Sequence, residues 1–135
     1  MRVLDTDVCV ELLRGNTLII EQRDALNDDL SVTWMTAAEL YYGAERSSAP
    51  GHNRRLVARF LETVPLIRCR EASAREFGVL KAVLEKLGQR LADADLIIAA
   101  ACLALDAVLV TGNVAHFSRV PGLHVEGWIR GRGGS

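Results

Sequence analysis

Two carboxylates, Asp5 and Asp7, interrupt the apolar start of "MRVLDTDVCVELLRG" just where a short buried strand would end. Further acids stand at comparable junctions: Glu39 after "LSVTW", and Asp93 and Asp95 before the apolar run "LIIAAACLAL". Thr111 and Asn113 follow "AVLV". Carboxylates gathered on one rim repel one another unless a cation joins them. Carboxylate oxygens suit a hard ion such as Mg²⁺ or Mn²⁺, and an ion so held can activate water. The group reads as a hard-metal site.

Each residue also has a purely structural reading. Thr6 and Asp7 are good N-caps for the helix that follows, and Thr36-Ala37-Ala38-Glu39 has the form of a capping box. Asp93 and Asp95 can satisfy first-turn amides and the helix dipole. Asn113 can cap a short turn through Phe117, and His116 reads as an exposed loop histidine. Asp5 is the hardest to explain this way, because it ends the strand directly and Thr6 can cap without it.

The elements that must position these groups follow from apolar periodicity. Strands are expected at Val3-Leu4, "LSVTW", "PLIRC", "AVLVT" and, more weakly, "LHVEGW". Helices are expected at Val8 to Arg14, closed by Gly15, and at Asn16 to Asp28. Others are "MTAAELYYGAERSS", "HNRRLVARFLETV", Ala72 to Leu87 ended by Gly88, and "DADLIIAAACLAL". Alternating strands and helices, with strands apolar throughout, indicate an α/β fold. The expected architecture is a mainly parallel central sheet of four or five strands with helices on both faces. Sites in such sheets form beyond the carboxyl ends of the strands, where these polar residues fall.

At 135 residues the chain is long enough for one domain with a real core, expected over 1–130 with 131–135, "GRGGS", as a flexible tail. Half the residues are hydrophobic, which excludes a disordered or fibrous chain. Aromatics at 5% argue against a platform that stacks successive bases, and a net charge of −1 against a global basic field. Cys9, Cys69 and Cys102 form no C-x-x-C pair and have no zinc-like spacing to His52, His116 or His124. Cys9 and Cys102 read as small core residues, and the chain as cytoplasmic, with neither a signal peptide nor a membrane span.

Four stretches together carry a family resemblance: "VLDTDVCVELLRG", "TAAELYYGAERS", "RLADADLIIAAACLAL" and "LVTGNVAHFSRVPGLHVEGW". In these the chain resembles PIN-domain ribonucleases, specifically the VapC-like toxins of type II toxin–antitoxin pairs. The resemblance implies a Mg²⁺- or Mn²⁺-dependent endoribonuclease. It assigns Asp5, Glu39 and Asp95 as metal-binding acids, Asp93 as an auxiliary acid, and Thr111 and Asn113 as the polar pair of a T-x-N segment. Asp7 stands where asparagine is common, and His116 stands where many similar chains carry a fourth acid before the phenylalanine. The resemblance further implies an RNA substrate, a cognate antitoxin and a homodimer. Arg14, Arg46, Arg90 and Arg119 lie near the motif segments as candidates for tracking the RNA backbone.

Two other readings accompany this one. "VLDTDV" fits the opening of haloacid-dehalogenase-type phosphatases, with Asp5 as nucleophile, Asp7 as acid and a lysine required nearby. A PIN-like domain of weak catalysis that acts only by binding is the second, suggested by His116.

Overall fold

The computed structural model describes residues 1–128. The expected tail at 131–135 lies outside the described residues. Among the described residues five strands form one wholly parallel sheet: β1 (Arg2–Leu4), β2 (Leu30–Thr33), β3 (Leu66–Ile67), β4 (Val108–Thr111) and β5 (His124–Gly127). Their order is β3-β2-β1-β4-β5. In the same described residues seven helices connect them: α1 (Thr6–Leu13), α2 (Thr17–Ala25), α3 (Trp34–Arg46), α4 (Pro50–Glu62), α5 (Glu71–Lys86), α6 (Asp93–Leu105) and α7 (Val114–Phe117).

The strands are too short to alternate visibly, yet successive side chains still point to opposite faces. Val3 and Leu109 join a core with Leu80, Leu84, Leu96 and Ile98 from α5 and α6. Their neighbours Leu4 and Val110 join a second core with Val8, Leu12, Leu40 and Val57 from α1, α3 and α4. Two cores on two faces favour apolar residues on both sides of the central strands, which is why β1 and β4 read as nearly unbroken apolar runs, while β2 carries the buried hydroxyls of Ser31 and Thr33. Cys9 and Cys102 are fully buried, one in each core. Burial pushes the Cys102 thiol up to about 12 and raises that of Cys9 as well, as inert core residues require.

Several boundaries differ from the sequence expectation. α2 stops at Ala25, because Leu26 turns extended and its N–H returns to the Arg23 carbonyl. Trp34 opens α3 rather than ending β2, since Thr33 caps that helix through its hydroxyl. β3 keeps only two residues of "PLIRC" at the sheet edge. Gly15 and Gly88 adopt positive φ, 77° and 69°, just beyond α1 and α5, as helix-ending glycines do. Among the described residues no helix is long and apolar enough to cross a membrane.

The chain moves outward from β1 to β2 and β3, then returns to lay β4 on the other side of β1. That reversal makes a switch point between β1 and β4, and a crevice opens beyond their carboxyl ends. Asp5 ends one strand and Thr111 closes the other.

Candidate active site

An open cleft of about 570 Å³ lies at the switch point, lined among others by Asp5, Thr6, Asp7, Glu39, Asp95 and Asn113. Its acids come from the end of β1, the first turn of α1, the middle of α3 and the start of α6.

Asp5 is the fixed centre. Its backbone N–H donates to the Val110 carbonyl at 2.8 Å, prolonging the β1–β4 ladder by one bond. Its side chain accepts from the Thr6 N–H at 2.9 Å and from the Thr111 hydroxyl at 2.7 Å. Asp5, not Thr6 or Asp7, is therefore the N-cap of α1. Capping does not take Asp5 out of the cleft, because the same carboxylate caps α1 and lines it. Only 7% of Asp5 is exposed. Burial foremost, and then the nearby charges of Asp7 and Asp95, raise its carboxyl to about 7 despite the two hydrogen bonds that oppose the shift.

Asp7 accepts the Gly112 N–H at 3.0 Å and so ties α1 to the turn after β4. In that turn the Asn113 N–H donates to the Thr111 hydroxyl oxygen at 3.0 Å, while the same hydroxyl donates to Asp5. Asn113 stands at the N-cap of α7, but its side chain makes no capping bond.

Glu39 does not close a capping box. The cap of α3 is Thr33, three residues before Thr36, so Glu39 lies beyond the first turn where no amide lacks a partner. Instead its Oε1 accepts from the Thr6 hydroxyl at 2.6 Å. The Thr36 hydroxyl lies 3.0 Å from that of Thr6. Since the single Thr6 proton goes to Glu39, Thr36 donates to Thr6. The relay joins α3 to α1.

Asp95 sits in the first turn of α6, with its Oδ2 2.9 Å from His116 Nε2. His116 is not an exposed loop residue: it lies on α7 with its side chain one-quarter exposed. Asp93 is not brought to the cleft. Two residues before Asp95 and on the other side of the helix, it faces outward, 62% exposed, and pairs with Lys81 at 3.0 Å. The arginines are peripheral too. Arg14 lines a neighbouring groove that also includes Glu39, Arg46 stacks over Tyr42, and Arg90 and Arg119 are exposed.

Among the described residues no three His, Cys, Asp or Glu side chains stand together as a ready-made ion cage. The chemistry of the donors nevertheless fits a hard cation. Four carboxylates share the lining, no thiol does, and like charges help to raise Asp5. Thr6 and His116 are the two participants that sequence reasoning missed. Thr6 was visible only as a cap, and the contact of His116 depends on a pairing 21 residues apart.

The PIN domain family profile matches residues 2–123. The chain belongs to the PIN-domain family. Ribonuclease VapC2 of Haemophilus influenzae is 34% identical over 128 residues, covering 94% of this chain and 97% of that protein. The tRNA(fMet)-specific endonuclease VapC of Salmonella typhimurium is 31% identical, with 93% and 96% covered. In a crystal structure of VapBC2 from Rickettsia felis bound to a promoter DNA fragment, a chain 28% identical superposes with a TM-score of 0.90, over 95% of this chain and 98% of that one. Asp5, Glu39 and Asp95 line one cleft of a fold that these proteins share.

Proposed function

We propose that this PIN-domain protein is the toxin of a type II toxin–antitoxin pair: an endoribonuclease that hydrolyses RNA phosphodiester bonds with Mg²⁺ or Mn²⁺. The observation that carries the reading is the convergence of Asp5, Glu39 and Asp95 from three elements on one cleft at the sheet's switch point. The named ribonuclease relatives, matched over almost their whole length, support it. The protein would act in the cytoplasm as a homodimer, restrained by a cognate antitoxin.

Asp5, Asp95 and Glu39 are the residues to hold the ion, which when bound supplies charge against the phosphoryl oxygens and lowers the pKa of a water. The protein's own groups prepare that site. Thr111 and the Thr6 amide hold both Asp5 oxygens, so its carboxylate needs no reorientation. Thr6 does the same for one oxygen of Glu39, leaving the other to bind through water or to orient a nucleophile. The Asn113 amide, not committed to capping, is the group to position a phosphate oxygen or the attacking water. Arg14, in the groove beside Glu39, is the arginine best placed to meet the RNA backbone.

A phosphatase of the haloacid-dehalogenase type loses its lysine in this arrangement. Lys81 pairs with Asp93 away from the cleft, and no lysine lines it.

The test is cleavage of a tRNA pool by purified, antitoxin-free protein with EDTA, Mg²⁺ or Mn²⁺. Metal-dependent cleavage should fall at least roughly a hundredfold in folded Asp5→Asn and Asp95→Asn. Cleavage that survives both substitutions removes the reading. A phosphomonoester substrate should be left intact.

A further inference from the structure

α7 has only four residues, too few to hold a helical turn by its own hydrogen bonds. Phe117 fixes it instead, fully buried in the core on the α5–α6 face. The preceding residue, His116, sets its ring nearly perpendicular to that of Phe117, at 85° and 5.2 Å between centroids. From this seat Nε2 reaches Asp95 Oδ2 at 2.9 Å. An ionised carboxylate can only accept, so the hydrogen lies on Nε2 and the ring donates. Asp95 lines the cleft; His116 does not.

We propose that His116 is a positioning residue for Asp95: its ring N–H holds Oδ2, fixes the carboxylate in the cleft, and thereby sets the affinity of the site for a divalent ion. The proposal rests on the metal-site reading given above. Hydrogen bonds to ligating carboxylates commonly matter this much, their loss costing about 10- to 100-fold in metal affinity. An acid at position 116, the residue type implied for many similar chains, could not play this part, because two ionised carboxylates cannot hydrogen-bond to each other. His116 thus substitutes a donor for a charge. It also places the positive end of an N–H dipole beside the charges of Asp5, Asp7, Glu39 and Asp95, which share the cleft with no lysine or arginine among the described residues.

The experiment uses the full chain without RNA and counts bound Mn²⁺ by the loss of its free electron-paramagnetic-resonance signal, with a thermal melt to verify folding. His116→Ala should weaken Mn²⁺ binding 10- to 100-fold, whereas His116→Gln, whose amide can donate to Asp95, should recover most of the loss. Nitrogen coupling to the bound Mn²⁺ should be absent from the wild type, because the ring holds the ligand and not the ion. Equal affinity in wild type and folded His116→Ala would overturn the proposal and leave the metal site standing. Failure of Gln to rescue, or clear imidazole coupling, would overturn it as well, the latter by making His116 a ligand. Wild-type protein that binds no Mn²⁺ would remove the metal-site reading, and the proposal with it.

Discussion

The Thr6 hydroxyl donates to Glu39 Oε1 at 2.6 Å, across the gap between α1 and α3. Glu39 is thus held by a neighbour in space and not by its own helix end. A substitution that keeps an acceptor should separate the structural part of this contact from the chemical part. In Glu39→Gln the amide oxygen can still accept from Thr6, so the melting temperature should stay within about 2 °C, a change below ~1 kcal/mol. RNA cleavage should nevertheless collapse, since the carboxylate has gone. Wild-type cleavage by Glu39→Gln would reduce Glu39 to a tie between helices.

Thr6→Val asks the converse question. The shape is kept, but the Glu39 carboxylate loses its donor and the Thr36 hydroxyl its acceptor. A part-buried polar group left unmatched costs about 1–3 kcal/mol, so urea denaturation should show a loss of that size. Cleavage should fall too, though less than in Glu39→Gln. An unchanged urea midpoint would mean the relay carries no net stability.

Asp93 should prove dispensable. Its pair with Lys81 is exposed, and such pairs contribute about 0–1 kcal/mol. Asp93→Ala should cleave RNA within about twofold of wild type and melt almost unchanged. A severe loss of cleavage would restore Asp93 to the site, against its position in the fold.

Much of this site was legible in the sequence because parallel α/β folds put polar junction residues on one rim. Asp5, Asp95, Thr111 and Asn113 needed only to be placed at element ends for their convergence to follow, whereas Glu39 reaches the cleft from inside α3. What was not legible depends on side-chain geometry. "D-A-D" cannot say which acid points inward; helical rotation turns Asp95 to the cleft and Asp93 to Lys81. Thr36 and Glu39 have the spacing of a capping box, but α3 begins earlier at Trp34, so the motif falls inside the helix. The strand–helix–strand order was plain, while the two-residue β3 was overextended because edge pairing leaves little trace in local composition.

Gly127 bears on the site from β5. A Cβ built there would meet Val114 Cγ2 at 2.9 Å, a distance such atoms do not tolerate. Val114 is β-branched and stiff, so α7 must move, and His116 and Phe117 move with it. Gly127→Ala should cost roughly 1–3 kcal/mol by overpacking. It should also lower metal affinity through His116. Adding Val114→Ala removes the obstructing methyl and should restore most of both. A double variant as impaired as the single one would place the fault elsewhere on β5.

Asp5 makes a prediction that needs no RNA. Its carboxyl is raised to about 7 in the folded protein, chiefly by burial and then by Asp7, against about 3.9 in an unfolded chain. Between those values the native state binds more protons than the unfolded one, so stability falls as pH rises. The contribution is complete below about pH 4, is lost through pH 7, and amounts at most to something on the order of 4 kcal/mol. In EDTA, wild-type protein should therefore be measurably more resistant to urea at pH 5 than at pH 8. Asp5→Asn cannot titrate, so most of that slope should vanish, whatever the substitution does to absolute stability. Mg²⁺ or Mn²⁺ acts in the opposite sense. An ion that binds the ionised carboxylate stabilises only the folded state, by about 2.7 kcal/mol at 100 times its dissociation constant. The metal-induced gain should thus be larger at pH 8 than at pH 5 in the wild type and small at both in Asp5→Asn. Urea titrations of the two proteins at pH 5, 6, 7 and 8, with EDTA and with each ion, measure all of this. A wild-type slope matched by Asp5→Asn would show that Asp5 does not titrate in this range, and an equal metal-induced gain in both would show that it is no ligand.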